Sequence, residues 1–329
     1  MPIAYDRRAF IRNSLLTSVG GAWAVKTLSP TARAENAPRP AGEGPAAGGG
    51  ALPQGKIGDL QVSRLLLGGN LLTHYTHSRD LKYVYNLAKH YNTVEKIWET
   101  MALAEKHGVN TVVIHTAPGV MDFLQRYRHE RGGKIQWIIC PTAPIDDSME
   151  EYRRQVREIV EAGVDAVYVW GVRSDQLVEQ GRPDLIAKAV ATAKEFGVPC
   201  GVGAHDLRVI TACEKINAGA DFYIKTFHHH NYPSGPKPEE IQGPYAEFPG
   251  YWCSHPNEVI EVMKDVGKPW IAFKVMAAGA IPPEDAFQYA FDNGADHVLA
   301  GMFDFEIAED VQIAQAALAK VNRRREWVS

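Results

Sequence analysis

Three sets of side chains in this sequence are of types that could do chemistry together: His115, His205 and the histidines at 228 and 229; the lysines Lys225 and Lys274; and the acid Asp304. Each ends or closely follows a short apolar run, in "VVIHT", "CGVGAHD", "FYIKTFHH", "WIAFKVM" and "LAGMFD", which puts it at the C-terminal end of a predicted strand. Imidazoles delivered by separate strands suit a divalent ion such as zinc, manganese or iron with one coordination position left open. The predicted ligands are His115, His205, His229 or His228, and Asp304. Such an ion would polarise a carbonyl or hydroxyl oxygen while Lys225 or Lys274 donates a proton or stabilises an oxyanion, with His205 completing the catalytic set. Inward histidines can equally act as general acid and base without a metal. No HxH or HExxH spacing is present to decide between the two.

The elements that must position these residues can be counted. Predicted strands are 62–67, 111–115, 135–140, 166–170, 200–205, 222–227, 270–275 and 297–300. Predicted helices between and after them are 93–107, 120–130, 148–162, 183–196, 208–218, 257–266, 283–293 and 308–321. Glycines at 108, 163, 197, 267 and 294 are placed as helix stops. Eight strand–helix units predict an α/β fold, a single (β/α)8 TIM barrel, with its chemistry at the C-terminal ends of the strands. No GxGxxG follows a strand, which argues against an open dinucleotide-binding sheet. If the large apolar side chains face the helices, then His115, His205, Lys225, Phe227, His229 and Lys274 face the barrel centre. Asn70, Cys140 or Thr142, Trp170 and Asp304 are the corresponding positions on strands one, three, four and eight. The loops after strands one and six are long and rich in aromatic residues. Asn70, His77, Arg79, Trp170, Tyr251 and Trp252 are the predicted substrate-binding residues, suited to stacking and hydrogen bonding a sugar-like molecule. The last helix ends in Arg323-Arg324-Arg325, which reads as a solvated face.

Asp6-Arg7-Arg8-Ala9-Phe10-Ile11-Arg12 resembles the twin-arginine export signature, and a mildly apolar stretch and Ala32-Arg33-Ala34 follow it. Residues 1–34 are therefore expected to be a removed signal peptide, residues 35–51 an Ala/Pro/Gly linker, and residues 52–329 the barrel. That resemblance implies a protein exported already folded and acting in the periplasm, with no membrane insertion after cleavage. Loss of Arg7, Arg8, Arg12, Lys26, Arg33 and Asp6 moves the formal charge from −4 to −8, which argues against a nucleic-acid partner. A small-molecule substrate is the expected partner, and homo-oligomerisation is compatible with the sequence. The four cysteines lack CxxC spacing and read as buried thiols, although export would permit a disulfide.

"IGDLQVSRLLLGGN" and "TMALAEKHGVNTVVIHTA" resemble the opening of aldo/keto reductases, which are NADPH-binding barrels. The resemblance implies the fold. It does not carry the reductase tetrad, because Val113 stands where the first member belongs and Cys140 and Trp170 occupy the strand-three and strand-four positions. NADPH is accordingly not an expected cofactor. "AGADFYIKTF" and "AFKVMAAGAI" resemble class I aldolases of the deoxyribose-phosphate type. That resemblance implies Lys225 as a Schiff-base lysine with Lys274 as the neighbour that lowers its pKa. One extra residue separates Asp221 from the lysine, and "LAGMFD" replaces the phosphate phrase. The sequence thus predicts an exported barrel enzyme, a metal-assisted lyase, isomerase or hydrolase of a small polar or carbohydrate-like carbonyl compound. A Schiff-base lyase, a degenerate reductase and a non-catalytic sugar-binding barrel are the alternatives.

Overall fold

The chain is seen in a computed structural model that describes residues 51–329; the predicted export signal and the linker up to residue 50 lie outside the described residues. A hairpin, β1 (Gln54–Ile57) and β2 (Leu60–Ser63), opens it. Eight parallel strands follow: β3 (Leu65–Gly68), β4 (Thr111–His115), β5 (Gln136–Cys140), β6 (Ala166–Val169), β7 (Cys200–Ala204), β8 (Tyr223–Thr226), β9 (Trp270–Phe273) and β10 (His297–Ala300). They close into a barrel as β10 pairs with β3, Val298 opposite Leu65. This is the predicted (β/α)8 barrel. The predicted first strand, 62–67, straddles two elements: Val62 and Ser63 belong to the hairpin, and the barrel strand starts at Leu65. Leu60, Val62 and Ile57 pack into the barrel interior, so the hairpin closes its lower end.

Ten helices lie among the described residues: α1 (Tyr83–Tyr91), α2 (Val94–Lys106), α3 (Val120–Glu130), α4 (Glu150–Glu161), α5 (Gly171–Glu179), α6 (Pro183–Lys194), α7 (Leu207–Lys215), α8 (Pro256–Lys264), α9 (Pro283–Asp292) and α10 (Ile307–Lys320). Thr93 and Asp206 cap α2 and α7 by accepting the N–H groups of Lys96 and Arg208. Among the predicted glycine stops, those at 108, 163, 197 and 294 take left-handed backbone, whereas Gly267 does not. No helix of the described residues is long and apolar enough to cross a membrane.

Two apolar layers set the parity of every strand. Val113, Ile138, Ala166, Phe222, Ile224, Ile271 and Leu299 fill the barrel. Val112, Ile139, Val202, Tyr223, Phe227, Trp270 and Val298 face the helices. The parity predicted for β4 and β7 holds, and the parity predicted for β8 and β9 is reversed. The cause lies on β7: a Cβ built on Gly201 would stand 2.4 Å from the ring of Phe222. Glycine there leaves room for large side chains from the next strand inside the barrel, so Phe222 and Ile224 turn inward and Lys225 turns toward the helices.

The predicted solvated face at the C-terminus is also corrected. Asp296 at the foot of β10 is fully buried and pairs with Arg323 at 3.3 Å and Arg325 at 2.6 Å, while also accepting the Trp270 N–H. A carboxylate buried this deeply requires charged partners, and the arginines after α10 supply them. All four cysteines are buried and free.

Candidate active site

The C-terminal mouth of the barrel is organised around Lys274. It follows the last residue of β9, and strict alternation from Phe273, which faces inward, would aim it at the helices. Its backbone is instead left-handed, with φ of 57°, and this breaks the alternation and turns the side chain over the mouth. A lysine held in that region costs conformational energy that glycine would not. Its Nζ lies 5.3 Å from the rings of Trp252 and Phe273 and 6.0 Å from Tyr245. Burial lowers the Lys274 pKa to about 7 against the opposing charges of Glu247 and Asp175. Among the described residues it forms no ion pair within 4.0 Å.

His205, just beyond β7, is held beside it. Asp175 Oδ2 accepts the His205 Nδ1 proton at 2.8 Å, and Asp175 Oδ1 accepts the backbone N–H groups of His205 and Asp206 at 3.0 Å each. A carboxylate only accepts, so the proton sits on Nδ1 and Nε2 carries the lone pair. The ring centroid of His205 lies 4.6 Å from that of Tyr245. Burial holds its pKa down at about 4, outweighing the Asp175 bond. Asp175 reaches the histidine because α5 begins against β7. A Cβ on Gly203 would stand 2.9 Å from Gly171 N, and one on Gly171 would stand 3.3 Å from His205 Cε1.

The long loops supply a second histidine–carboxylate pair. His77 Nδ1, from the loop after β3, donates to Glu247 Oε1 at 2.5 Å, from the loop after β8. Burial lowers the His77 pKa against that bond. Burial pushes Glu247 up, but its bond to His77 and the charge on Lys274 hold it below the usual carboxylate range. The His77 ring lies 5.3 Å from Tyr75 and 5.4 Å from Trp252, and Tyr75 lies 6.3 Å from His115. Arg79 ties the loops together, donating to Ser234 Oγ at 2.8 Å and to the carbonyl of Pro249.

Of the predicted site residues, the mouth thus gathers Lys274, His205, His77 and Trp252, with His115 at its edge. The other predicted residues make different contacts. Lys225 faces the helix layer beside Ala204 and Ala272, 1% exposed, with Nζ donating to Thr226 O at 2.8 Å and Thr226 Oγ1 at 3.0 Å. His228 is a buried strut: its Nδ1 donates to His229 O and its Nε2 accepts the Trp252 N–H at 2.9 Å. His229 turns outward to Asp285 on α9 at 3.2 Å and stacks edge-on with Tyr289. Asp304 accepts from Tyr91 and Lys96 at 2.7 and 3.1 Å. His115, His205, His228, His229 and Asp304 therefore do not converge, and among the described residues no group of three or more His, Cys, Asp or Glu side chains is arranged to hold a metal ion. Arg79 is spent on loop carbonyls and Ser234. Tyr251 is 1% exposed, its hydroxyl donating to Gly243 O. Trp170 heads α5 and Asn70 anchors the turn to Tyr75 through its carbonyl.

The residues that sequence reasoning missed are Asp175 and Glu247. Asp175 belongs to α5, a short helix opening on glycine with no side-chain cap, and Glu247 sits in a loop without periodicity. The one available signal for Asp175 was Gly171 directly after a strand, where a close backbone approach calls for glycine. A cleft of about 860 Å³ opens on the far side of His205, between α7, α8 and the loop after β8, its walls including Lys225, Arg208 and His255.

No family model matches the chain, and no curated protein matches it. Among solved structures, a chain assigned to the aldo-keto reductases of Pseudomonas aeruginosa is 18% identical, with a TM-score of 0.56 over 82% of this chain and 98% of that one. The holo form of an aldo-keto reductase from Bacillus halodurans is 11% identical, with a TM-score of 0.53 over 84% and 98%. At these identities the likeness is one of fold: the chain is a closed eight-stranded barrel similar in architecture to aldo-keto reductases.

Proposed function

We propose that the protein is an enzyme of the lyase or isomerase type, moving a proton at a carbon next to the carbonyl of a small polar, carbohydrate-like substrate. The observation that carries the reading is the pairing, at one mouth, of a half-buried lysine without a close carboxylate and a histidine whose tautomer is fixed by Asp175. In this reading His205 Nε2 takes the proton from carbon and returns it to the neighbouring carbon or oxygen. Lys274 places a donor beside the carbonyl oxygen, where negative charge grows as that proton leaves. His77, oriented by Glu247, is the second group able to move a proton across the same space. Tyr75, Tyr245 and Trp252 give flat walls on which a polyhydroxylated substrate stacks. Export to the periplasm belongs to the same proposal and rests on the arginine pair and cleavage site of residues 6–34.

The test is proton exchange in heavy water. Small aldehydes and ketones, including glycolaldehyde, glyceraldehyde, dihydroxyacetone and pyruvate, are incubated with the protein and followed by proton NMR. The expected result is deuterium incorporation beside the carbonyl of at least one compound, reduced by roughly two orders of magnitude in His205→Asn, in keeping with the usual size of a general-base contribution. Absence of exchange across the panel, or equal exchange in the variant, would overturn the reading.

A further inference from the structure

We infer that Lys274 is a covalent catalyst: its Nζ adds to the substrate carbonyl carbon and forms an imine, the part that the aldolase resemblance gives to Lys225. The inference deepens the carbonyl-substrate reading above and rests on it.

The geometry separates the two lysines. Lys225 is buried on the helix side of β8, in the wall of the cleft between α7 and α8, and its Nζ is engaged by the carbonyl and hydroxyl of Thr226. Lys274 is turned into the mouth by its left-handed backbone, and that conformation is kept at a lysine, where strain is retained only if the surroundings enforce it. Its Nζ rests against Trp252, Phe273 and Tyr245, which steady an ammonium but, unlike a carboxylate in contact, do not lock it in the charged form. The charged and titratable groups facing it are Glu247 and His77 from the long loops and Asp175 and His205 from α5 and the end of β7. Burial outweighs the two carboxylates and brings the amine to about 7, so a large share is the free nucleophile at neutral pH.

The step balances without any redox partner. The Nζ lone pair forms the C–N bond as the carbonyl π pair moves to oxygen. His205 Nε2 relays a proton from nitrogen to that oxygen; a second proton, taken up from solvent through the same nitrogen, lets the carbinolamine hydroxyl leave as water while the nitrogen lone pair forms the C=N bond of a protonated imine. The imine withdraws electrons from the neighbouring carbon, whose proton His205 can remove; hydrolysis reverses the attachment and restores the lysine.

The experiment is reductive trapping on the full chain. Glycolaldehyde, glyceraldehyde or pyruvate is added with sodium borohydride at pH 7, and the modified residue is mapped by peptide mass spectrometry. The expected adduct carries the mass of the probe less one water plus two hydrogens, on Lys274, at least about tenfold above any exposed lysine. That margin is conservative, because an ordinary lysine near pKa 10.4 is uncharged in only roughly one molecule in 2,500 at pH 7. Lys274→Arg should abolish trapping and Lys225→Met should retain it. Because either variant could misfold, competitive labelling of the wild-type protein with acetic anhydride from pH 6 to 10 gives a second measurement, with Lys274 expected to titrate near 7. Trapping at Lys225, trapping spread over surface lysines, no adduct with any probe, or a Lys274 titration near 10 would each overturn the inference. Proton exchange without an adduct would remove the imine and leave the acid–base reading standing; loss of both would remove both.

Discussion

Replacing Asp175 by Asn tests the site at its most specific point. The carboxylate accepts three hydrogens, two through Oδ1 from the N–H groups of His205 and Asp206 and one through Oδ2 from His205 Nδ1. Asparagine keeps the first two, because its Oδ1 still accepts, so the junction of α5 with β7 should survive. It presents an N–H₂ group where Oδ2 stood, and His205 Nδ1 can then only accept. The imidazole proton moves to Nε2, and the lone pair facing the mouth disappears. The lost charge-assisted bond alone is worth about 1.5–3 kcal/mol, or roughly 10- to 150-fold in rate at about 1.36 kcal/mol per decade. Inversion of the tautomer adds to this, and the corresponding exchange in a serine-protease triad costs about 10⁴. A fall of about 10² to 10⁴ in kcat/KM is expected, with little change in thermal stability. Nitrogen-15 NMR of histidine-labelled protein reads the tautomer with no substrate at all. If His205 stays protonated on Nδ1 in the variant, or turnover falls by less than about twofold, the dyad is not the proposed general base.

Acid should destabilise the fold through buried neutral histidines. His205 and His228 are pushed down to about 4 and about 3 in the folded chain, whereas the unfolded chain protonates them near 6.5. Their contribution is complete above about pH 6.5 and is lost as pH falls toward 4 and then 3, up to roughly 3 and 5 kcal/mol respectively. Thermal melts should therefore show Tm dropping between pH 6.5 and 4, with a shallower slope in His228→Leu; parallel slopes would count against the assignment. Gly171→Ala places a methyl 3.3 Å from Ala204 N and His205 Cε1, so the contact between α5 and β7 must give by a few tenths of an ångström. Activity should fall about tenfold or more, as misplaced catalytic groups do, with a stability loss of about 1–3 kcal/mol typical of overpacking; unchanged kinetics would show that α5 does not position the dyad. Arg79→Gln breaks the bonds to Ser234 and Pro249 that join the two long loops, and should raise KM several-fold with a smaller effect on kcat; a pure kcat effect would argue for a direct catalytic role. Since Cys140, Cys200, Cys213 and Cys253 are all buried and free, a thiol reagent should react with four groups only after denaturation, and rapid labelling of the native protein would contradict the packing.

Reading the barrel from the sequence succeeded where local physics and tertiary packing agree. The β4 and β10 strands were predicted at their observed bounds, Thr111–His115 and His297–Ala300, because β-branched and apolar runs bounded by helix stops leave little freedom. The same logic gave His205 its place, since Cys200, Val202 and Ala204 do face the helices. It failed on β8, where the size rule sent Phe222 and Ile224 outward. The interior had space because the adjacent strand contributes Gly201, and that vacancy is a relation between strands rather than a property of either. Lys274 reached the mouth although the parity argument for it was wrong, by a left-handed turn that no spacing signals.

What the sequence determined by itself is the eight strand–helix units and the end of the barrel where chemistry would gather, because hydrophobic period and helix stops are local quantities; the hairpin, α1 and α5 were not predicted. Which histidine keeps a free nitrogen, which lysine faces the barrel mouth and which acids lie beside them were decided only in three dimensions. His228 and His229 differ from His205 in partners, not in type: Trp252, Asp285 and Asp175 come from segments distant in the chain. A side chain's proton position and charge depend on what lies within a few ångströms of it, and in this barrel those neighbours arrive from loops and a short helix that carry no periodic signal.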